Sequence, residues 1–184
     1  TQMQPDETEG LAKTGAVAGL CPITESSLGD GIFDGVRWLK AGGQIAVGSD
    51  SNVRISLSEE LRTLEYSQRL RDRSRAVLAT SEKSTGRRLF DAVCSGGAQA
   101  AGRDSGRIAE GAYGDLVALD ATHVDLMDRQ GDTILDCWMF AGCDAMVRDV
   151  WSAGRHVVQD GRHRSREQIL QNYARAMKPL REVL

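Results

Sequence analysis

Short apolar runs alternate with polar, helix-spaced segments along the first part of the chain. Ala16-Val17-Ala18-Gly19-Leu20-Cys21 is apolar throughout and ends at Pro22, and Gln44-Ile45-Ala46-Val47-Gly48 is the next such run. Runs this short and this apolar predict strands covered on both faces. Helix signals surround them. Pro5 with Asp6, Glu7 and Glu9 predicts a helix running to about Lys13 and stopping near Gly15. A short helix is expected from about Gly35 to Ala41, broken by Gly42-Gly43. Ser56 and Glu59 form an S-x-x-E box that opens a long helix to about Arg73, with Leu57, Leu61 and Leu64 marking its buried face. Thr24 to Gly31 and Thr80 to Gly86 are polar and read as loops, and Arg88 to Ala101 reads as a further helix. Helix, strand, helix, strand, helix is the order of a parallel α/β architecture.

From Gly106 the texture changes to glycines and short β-type runs: Leu116 to Leu119, Cys137 to Phe140, Val147 to Trp151 and His156 to Val158. A last helix is expected from Ser165, with Gln168 completing a capping box and Ile169, Tyr173, Ala176 and Leu180 following. The expected organisation is an α/β portion over 1–104, a β-rich segment over 105–164 and a C-terminal helix over 165–184.

Composition narrows the function classes. The 184 residues carry 41% hydrophobic and 27% charged side chains, the mixture of a globular protein. A formal net charge of -3 argues against a nucleic-acid partner. Arg69, Arg71, Arg73 and Arg75 come closest to a basic run, but they sit where a helix end would use them. No apolar stretch approaches the roughly 18 residues of a membrane span. Cys21, Cys94, Cys137 and Cys143 include no C-x-x-C pair. Cys21 and Cys94 read as buried free thiols, and a reducing, cytoplasmic compartment is the expectation. There is no leader-like segment, and the opening Thr1-Gln2-Met3-Gln4 reads as if entered mid-protein.

In parallel α/β barrels the chemistry sits at the C-terminal ends of strands. Two such ends are visible, Pro22 to Gly31 and Ser49-Asp50-Ser51. Asp50 stands where a catalytic or metal-binding carboxylate would stand, although an Asp after a strand is more often a turn or helix-cap residue. Glu25 and Asp30 are weaker candidates, with an exposed loop acid and a turn former as the plain alternatives. The three histidines, His123, His156 and His163, all lie in the later part. His156 and His163 flank Asp160-Gly161, which reads as a hairpin turn. Spacing alone assembles no metal site, Ser-His-Asp triad or phosphate loop.

Two later segments add a resemblance. Gly106-Arg107-Ile108-Ala109-Glu110-Gly111-Ala112-Tyr113-Gly114-Asp115-Leu116-Val117-Ala118-Leu119-Asp120 resembles the G-x-I-x-x-G-x-x-A-D-L-V-V-L-D stretch of the amidohydrolase superfamily, with Gly114 and Ala118 departing from it. Val147 to Gly161 resembles that superfamily's closing strands. Three earlier stretches are similar, more narrowly, to the formimidoylglutamate deiminases: Thr14 to Cys21, Thr24 to Phe33, and Gly48 to Ser51 with Glu59 to Arg73. Thr24-Glu25 replaces the Ser-Asn usual in related nucleoside deaminases.

The resemblance implies the C-terminal part of a metal-dependent (β/α)8 TIM barrel, strands 7 and 8 with their helices, plus part of a small β domain and a C-terminal helix. A barrel takes about 250 residues, so the other strands would lie outside this chain. It implies one divalent metal, usually zinc, held by a His-x-His, a further His and an Asp, and Asp50 matches that Asp. Thr1 matches the Thr of a His-Ala-Thr-His stretch, Gln2 replaces its second His, and Asn52 stands where some members have His. The implied reaction is hydrolytic deimination of N-formimino-L-glutamate, in histidine degradation. Asp50 would be catalytic and metal-binding, and Thr24, Glu25 and Asp30 would line the substrate pocket. The partners implied are a small-molecule substrate, no nucleic acid, no membrane and, in the longer enzyme, a possible homodimer. The chain alone is expected to be inactive. The alternatives are a deaminase of a nucleobase or modified nucleoside, and a non-catalytic structural piece.

Overall fold

The computed structural model describes residues 1–181. Helix α1 (Pro5–Ala12) opens with Pro5 in its first turn and a reciprocal cap between Gln4 and Glu7. Strand β1 (Val17–Leu20) leads to α2 (Pro22–Leu28), α3 (Gly35–Lys40) and β2 (Gln44–Val47), which pairs parallel to β1 with Val17 opposite Gln44 and Leu20 opposite Val47. Helix α4 (Leu57–Asp72) follows, and α5 (Thr85–Ala100) covers β2. The second unit is a four-stranded antiparallel sheet of β3 (Leu116–Leu119), β4 (Val147–Ser152), β5 (Arg155–Gln159) and β6 (Arg162–His163), in that spatial order. Between β3 and β4 lies α6 (Asp132–Phe140), and α7 (Arg166–Leu180) ends the described chain.

Several expectations are corrected. Cys137 to Phe140 is the end of α6, not a strand. Leu135, Trp138 and Met139 are its buried residues, at helical spacing, and four apolar residues read alone could not reveal that period. The segment after β1 is not a loop: α2 runs from Pro22 to Leu28 and closes on Gly29 in the left-handed conformation. Helix α5 starts at Thr85, capped by the Ser84 side chain, three residues before the expected Arg88. Ser56 accepts from the Glu59 N–H, but Glu59 turns to Arg54 instead of closing the box. Ser165 makes no side-chain cap on α7, and Ile169, Leu170, Tyr173 and Leu180 of that helix are exposed, with Met177 half-buried. Leu57 is exposed too, whereas Leu61 and Leu64 are buried as expected. Cys21 and Cys94 are only half-buried.

The main core gathers Leu20, Phe33, Trp38, Ile45, Leu61, Leu64, Leu78 and Leu89 between β1, β2 and their helices. A smaller cluster of Leu126, Leu135, Trp138 and Met146 joins α6 to the second sheet. Burying such side chains contributes about 1.5–3 kcal/mol each.

Not every buried residue of α4 is apolar. Glu60, Glu65 and Gln68 share its inner side with Leu61 and Leu64. The Glu65 carboxylate, fully enclosed, accepts from Arg69 Nε at 2.6 Å, Val77 N at 2.9 Å and Leu78 N at 3.0 Å, pinning the segment after α4. An amide has one acceptor oxygen, so Glu65→Gln would set an NH2 against a backbone N–H. We expect a loss of about 2 kcal/mol of stability, read from the denaturant midpoint. An unchanged midpoint would mean that the segment is held by other contacts.

Candidate active site

The parallel pairing brings the C-terminal ends of β1 and β2 side by side, and Gly48 N donates to Leu20 O at 3.0 Å just beyond the last paired residues. From there the chain turns sharply. Asp50 has φ +45° and Asn52 φ +56°, both left-handed, a conformation that Asp and Asn tolerate better than other non-glycine residues. Asn52 N donates to Ser49 O at 3.2 Å, closing the turn, and the Ser49 hydroxyl donates to Asn52 Oδ1 at 2.9 Å. The Asp50 side chain is exposed at the tip, and no described residue hydrogen-bonds to its carboxylate.

Thr24 is the link between the two strand ends. It is buried, and its hydroxyl lies 3.2 Å from Ser49 O and 2.8 Å from Ser51 Oγ, so it binds the residues on either side of Asp50. Glu25 turns back along α2: its Oε1 accepts from Cys21 N at 2.8 Å, a cap on its own helix, and leaves Oε2 uncommitted. Asp30 is exposed; its backbone N donates to Glu25 O and its carbonyl accepts from the Thr1 hydroxyl. Thr24 therefore meets the residues flanking Asp50 and not Asp50 itself, Glu25 is joined to Thr24 through the α2 backbone, and Asp30 stands just after the same helix.

Two groups that the sequence did not mark as site residues lie here. Cys21 closes β1, and burial first, then the Asp50 charge, push its thiol up, against a Gly48 N–H that lowers it. Glu60, from α4, is 2% exposed, and its Oε2 accepts from Ile23 N at 2.9 Å while Oε1 is buried without a partner. Burial pushes the Glu60 carboxyl up, the Ile23 N–H opposes this, and Glu25 and Glu59 add to the rise. A signal was present: Glu60, Leu61, Leu64, Glu65 and Gln68 recur at helical spacing, which puts acids on an apolar stripe.

The far end of the Asp50 loop is tied to the second unit. Arg54 pairs with Glu59 at 2.5 Å and Asp144 at 3.2 Å, and the Ser56 hydroxyl donates to Asp144 Oδ1 at 2.6 Å. The three histidines are engaged elsewhere. His156 Nε2 lies 2.8 Å from the buried Asp149 and its ring stacks on Trp151, while His123 and His163 accept from nearby backbone N–H groups. Among the described residues, no three His, Cys, Asp or Glu side chains gather closely enough to hold a metal ion. No helix among them is long and apolar enough to cross a membrane.

Comparison with known proteins places this geometry. The profile of the amidohydrolase family matches residues 3–157. A formimidoylglutamate deiminase of Pseudomonas aeruginosa is 47% identical over 98% of this chain, which spans 40% of that enzyme's length. A 5-methylthioadenosine/S-adenosylhomocysteine deaminase of Natronomonas pharaonis is 32% identical over 64% of the chain and 27% of its own length. Among solved structures, an amidohydrolase from Brucella melitensis superimposes with a TM-score of 0.91 at 46% identity, over 98% of this chain and 40% of that one. A zinc-bound adenosine deaminase from Xanthomonas campestris has a TM-score of 0.85 at 22% identity, over 99% of this chain and 41% of that one, a likeness of fold.

Proposed function

This chain belongs to the amidohydrolase family, and on that premise we propose that it is the C-terminal part of an enzyme that hydrolyses N-formimino-L-glutamate to N-formyl-L-glutamate and ammonia. The observation that carries the reading is 47% identity to a formimidoylglutamate deiminase sustained over 98% of the chain. The nucleoside-deaminase relative matches a shorter stretch less well, at 32% over 64%. It supplies the second reading, a deaminase of a modified nucleoside.

Asp50 would be one ligand of a divalent metal, which we take to be zinc. Its carboxylate fits: it lies at a strand end, free of competing hydrogen bonds, on a turn held from both sides by Thr24. The described residues supply no complete ligand set, so the other ligands would come from outside them. When bound, such an ion lowers the pKa of a water toward about 7. Asp50 would take that water's proton as the water oxygen bonds to the formimino carbon, and would then deliver it to the departing nitrogen, so the C–N bond breaks, ammonia leaves and the carbon keeps the oxygen as the formyl group. Thr24 would keep the turn from tilting, since its hydroxyl bonds a neighbour on each side of Asp50. Glu25 would face the cationic formimino group with Oε2, Oε1 being taken by Cys21 N. Asp30 would border the pocket at the end of α2. The free thiols fit a cytoplasmic enzyme.

The deciding assay measures ammonia release by the full-length enzyme from N-formimino-L-glutamate and, in parallel, from 5-methylthioadenosine and S-adenosylhomocysteine. We expect kcat/KM to favour the formimino substrate by at least about 10³-fold, because a site with charged partners for one substrate leaves them unpaired with the other. Preference for a nucleoside would reverse the assignment.

A further inference from the structure

We propose that Glu60 is a positioning residue for this site: its carboxyl, reaching from α4, holds the first turn of α2 and thereby fixes, through Thr24, the Ser49 carbonyl and the Ser51 hydroxyl on the two sides of Asp50. The inference rests on the reading of Asp50 given above.

The path is continuous. Pro22 has no N–H, so Ile23 offers the first free amide of α2, and that amide donates to Glu60 Oε2 at 2.9 Å. The next residue is Thr24, whose hydroxyl reaches Ser49 O and Ser51 Oγ. Glu60 itself follows the Asp50 loop by one helical turn of α4, and its N–H donates to Ser56 O at 3.0 Å. The carboxyl therefore ties the helix that begins after the loop to the helix that supports the loop from beneath.

Its cost argues for a purpose other than stability. Glu60 is 2% exposed, and Oε1 is buried with no partner. An apolar side chain on the same inner face would pack without an orphaned oxygen, as Leu61 and Leu64 do. Glu65, on the same helix, is a contrast: both its oxygens are bonded, and it holds a segment away from Asp50. A carboxyl kept with half its capacity unused is a rigid acceptor for one amide, and that amide adjoins the residue supporting the catalytic turn.

The test compares Glu60→Met, which fills the space without an acceptor, with Glu60→Gln, whose amide oxygen can still accept from Ile23 N, both in the full-length enzyme. Three quantities are read: kcat and KM for formiminoglutamate, bound metal, and amide hydrogen exchange over residues 22–28. With Met we expect kcat to fall about 10- to 100-fold at unchanged metal content, the size of effect that misplacing a catalytic group by a fraction of an ångström to an ångström produces. Exchange over α2 should rise about tenfold, the amide having lost its partner. With Gln, kcat should return to within about threefold of wild type, and α2 should regain its protection. Wild-type kcat in Glu60→Met, or equal loss in both variants, would overturn the proposal. So would failure of Glu60→Met to fold beside a normal Glu60→Gln, since the bond would then serve folding alone. If the unmodified enzyme does not act on formiminoglutamate, the substrate reading fails, and the exchange measurement still judges Glu60.

Discussion

Asp50→Asn in the full-length enzyme is expected to lower kcat at least about 10³-fold, which combines lost proton transfer with a weakened metal ligand. The fold should be untouched. Asp50 is exposed and no described residue bonds its carboxylate, so no internal contact is given up. Its backbone lies at φ +45°, and Asn accepts that left-handed conformation as readily as Asp. Compared with metal removed from both proteins, stability should therefore stay within the small range of surface substitutions, about 0.5 kcal/mol. Bound metal, read alongside, should fall. Activity within tenfold of wild type would remove Asp50 from the mechanism and, with it, the metal-assisted reading of this strand end.

The largest effect on stability is expected at Gly96. Helix α5 crosses β2 so closely that a Cβ at Gly96 would run into the Ile45 carbonyl oxygen, and would lie 2.7 Å from the carbonyl carbon and 3.0 Å from the nitrogen. All three atoms are backbone of β2 and cannot swing aside. Gly96→Ala must therefore lift the helix from the sheet, at a cost of about 3 kcal/mol. The adjacent Gly97 is the control. A Cβ there meets nothing within 4 Å, and Gly97→Ala should be neutral or stabilising by up to about 1 kcal/mol, through helix propensity. Denaturant midpoints of the two variants should move in opposite directions or differ by at least about 2 kcal/mol. Equal midpoints would show that α5 does not approach β2 in this way.

Much of the fold is visible in local pattern. The two apolar runs became β1 and β2, Asp160-Gly161 became the left-handed turn between β5 and β6, and Gly42-Gly43 ended α3. Each is a short-range matter, settled by a short apolar run or by a residue that tolerates positive φ, although only Leu20 and Ile45 of the two strands are buried and the expected cover on both faces is not met by the described residues. The family, too, was legible, because motifs such as Gly106 to Asp120 carry it residue by residue. The errors have a common cause. Cys137 to Phe140 was too short a run to distinguish a strand from the buried side of α6, and the apolar positions of α7 implied a covered face that the described residues do not cover.

What the sequence determined by itself, then, is the alternation of two short apolar strands with helices, the place of Asp50 after the second of those strands, and membership of a family. What only the tertiary structure decided is which side chains meet. Thr24 and Ser51 are 27 positions apart and Ile23 and Glu60 are 37 apart, yet each pair shares a hydrogen bond. Glu25 proved to be half committed to capping its own helix. Such contacts depend on parallel pairing of β1 with β2 and on the angle at which α4 lies across α2. Periodicity along one segment describes that segment's own faces. It does not say what comes to rest against them.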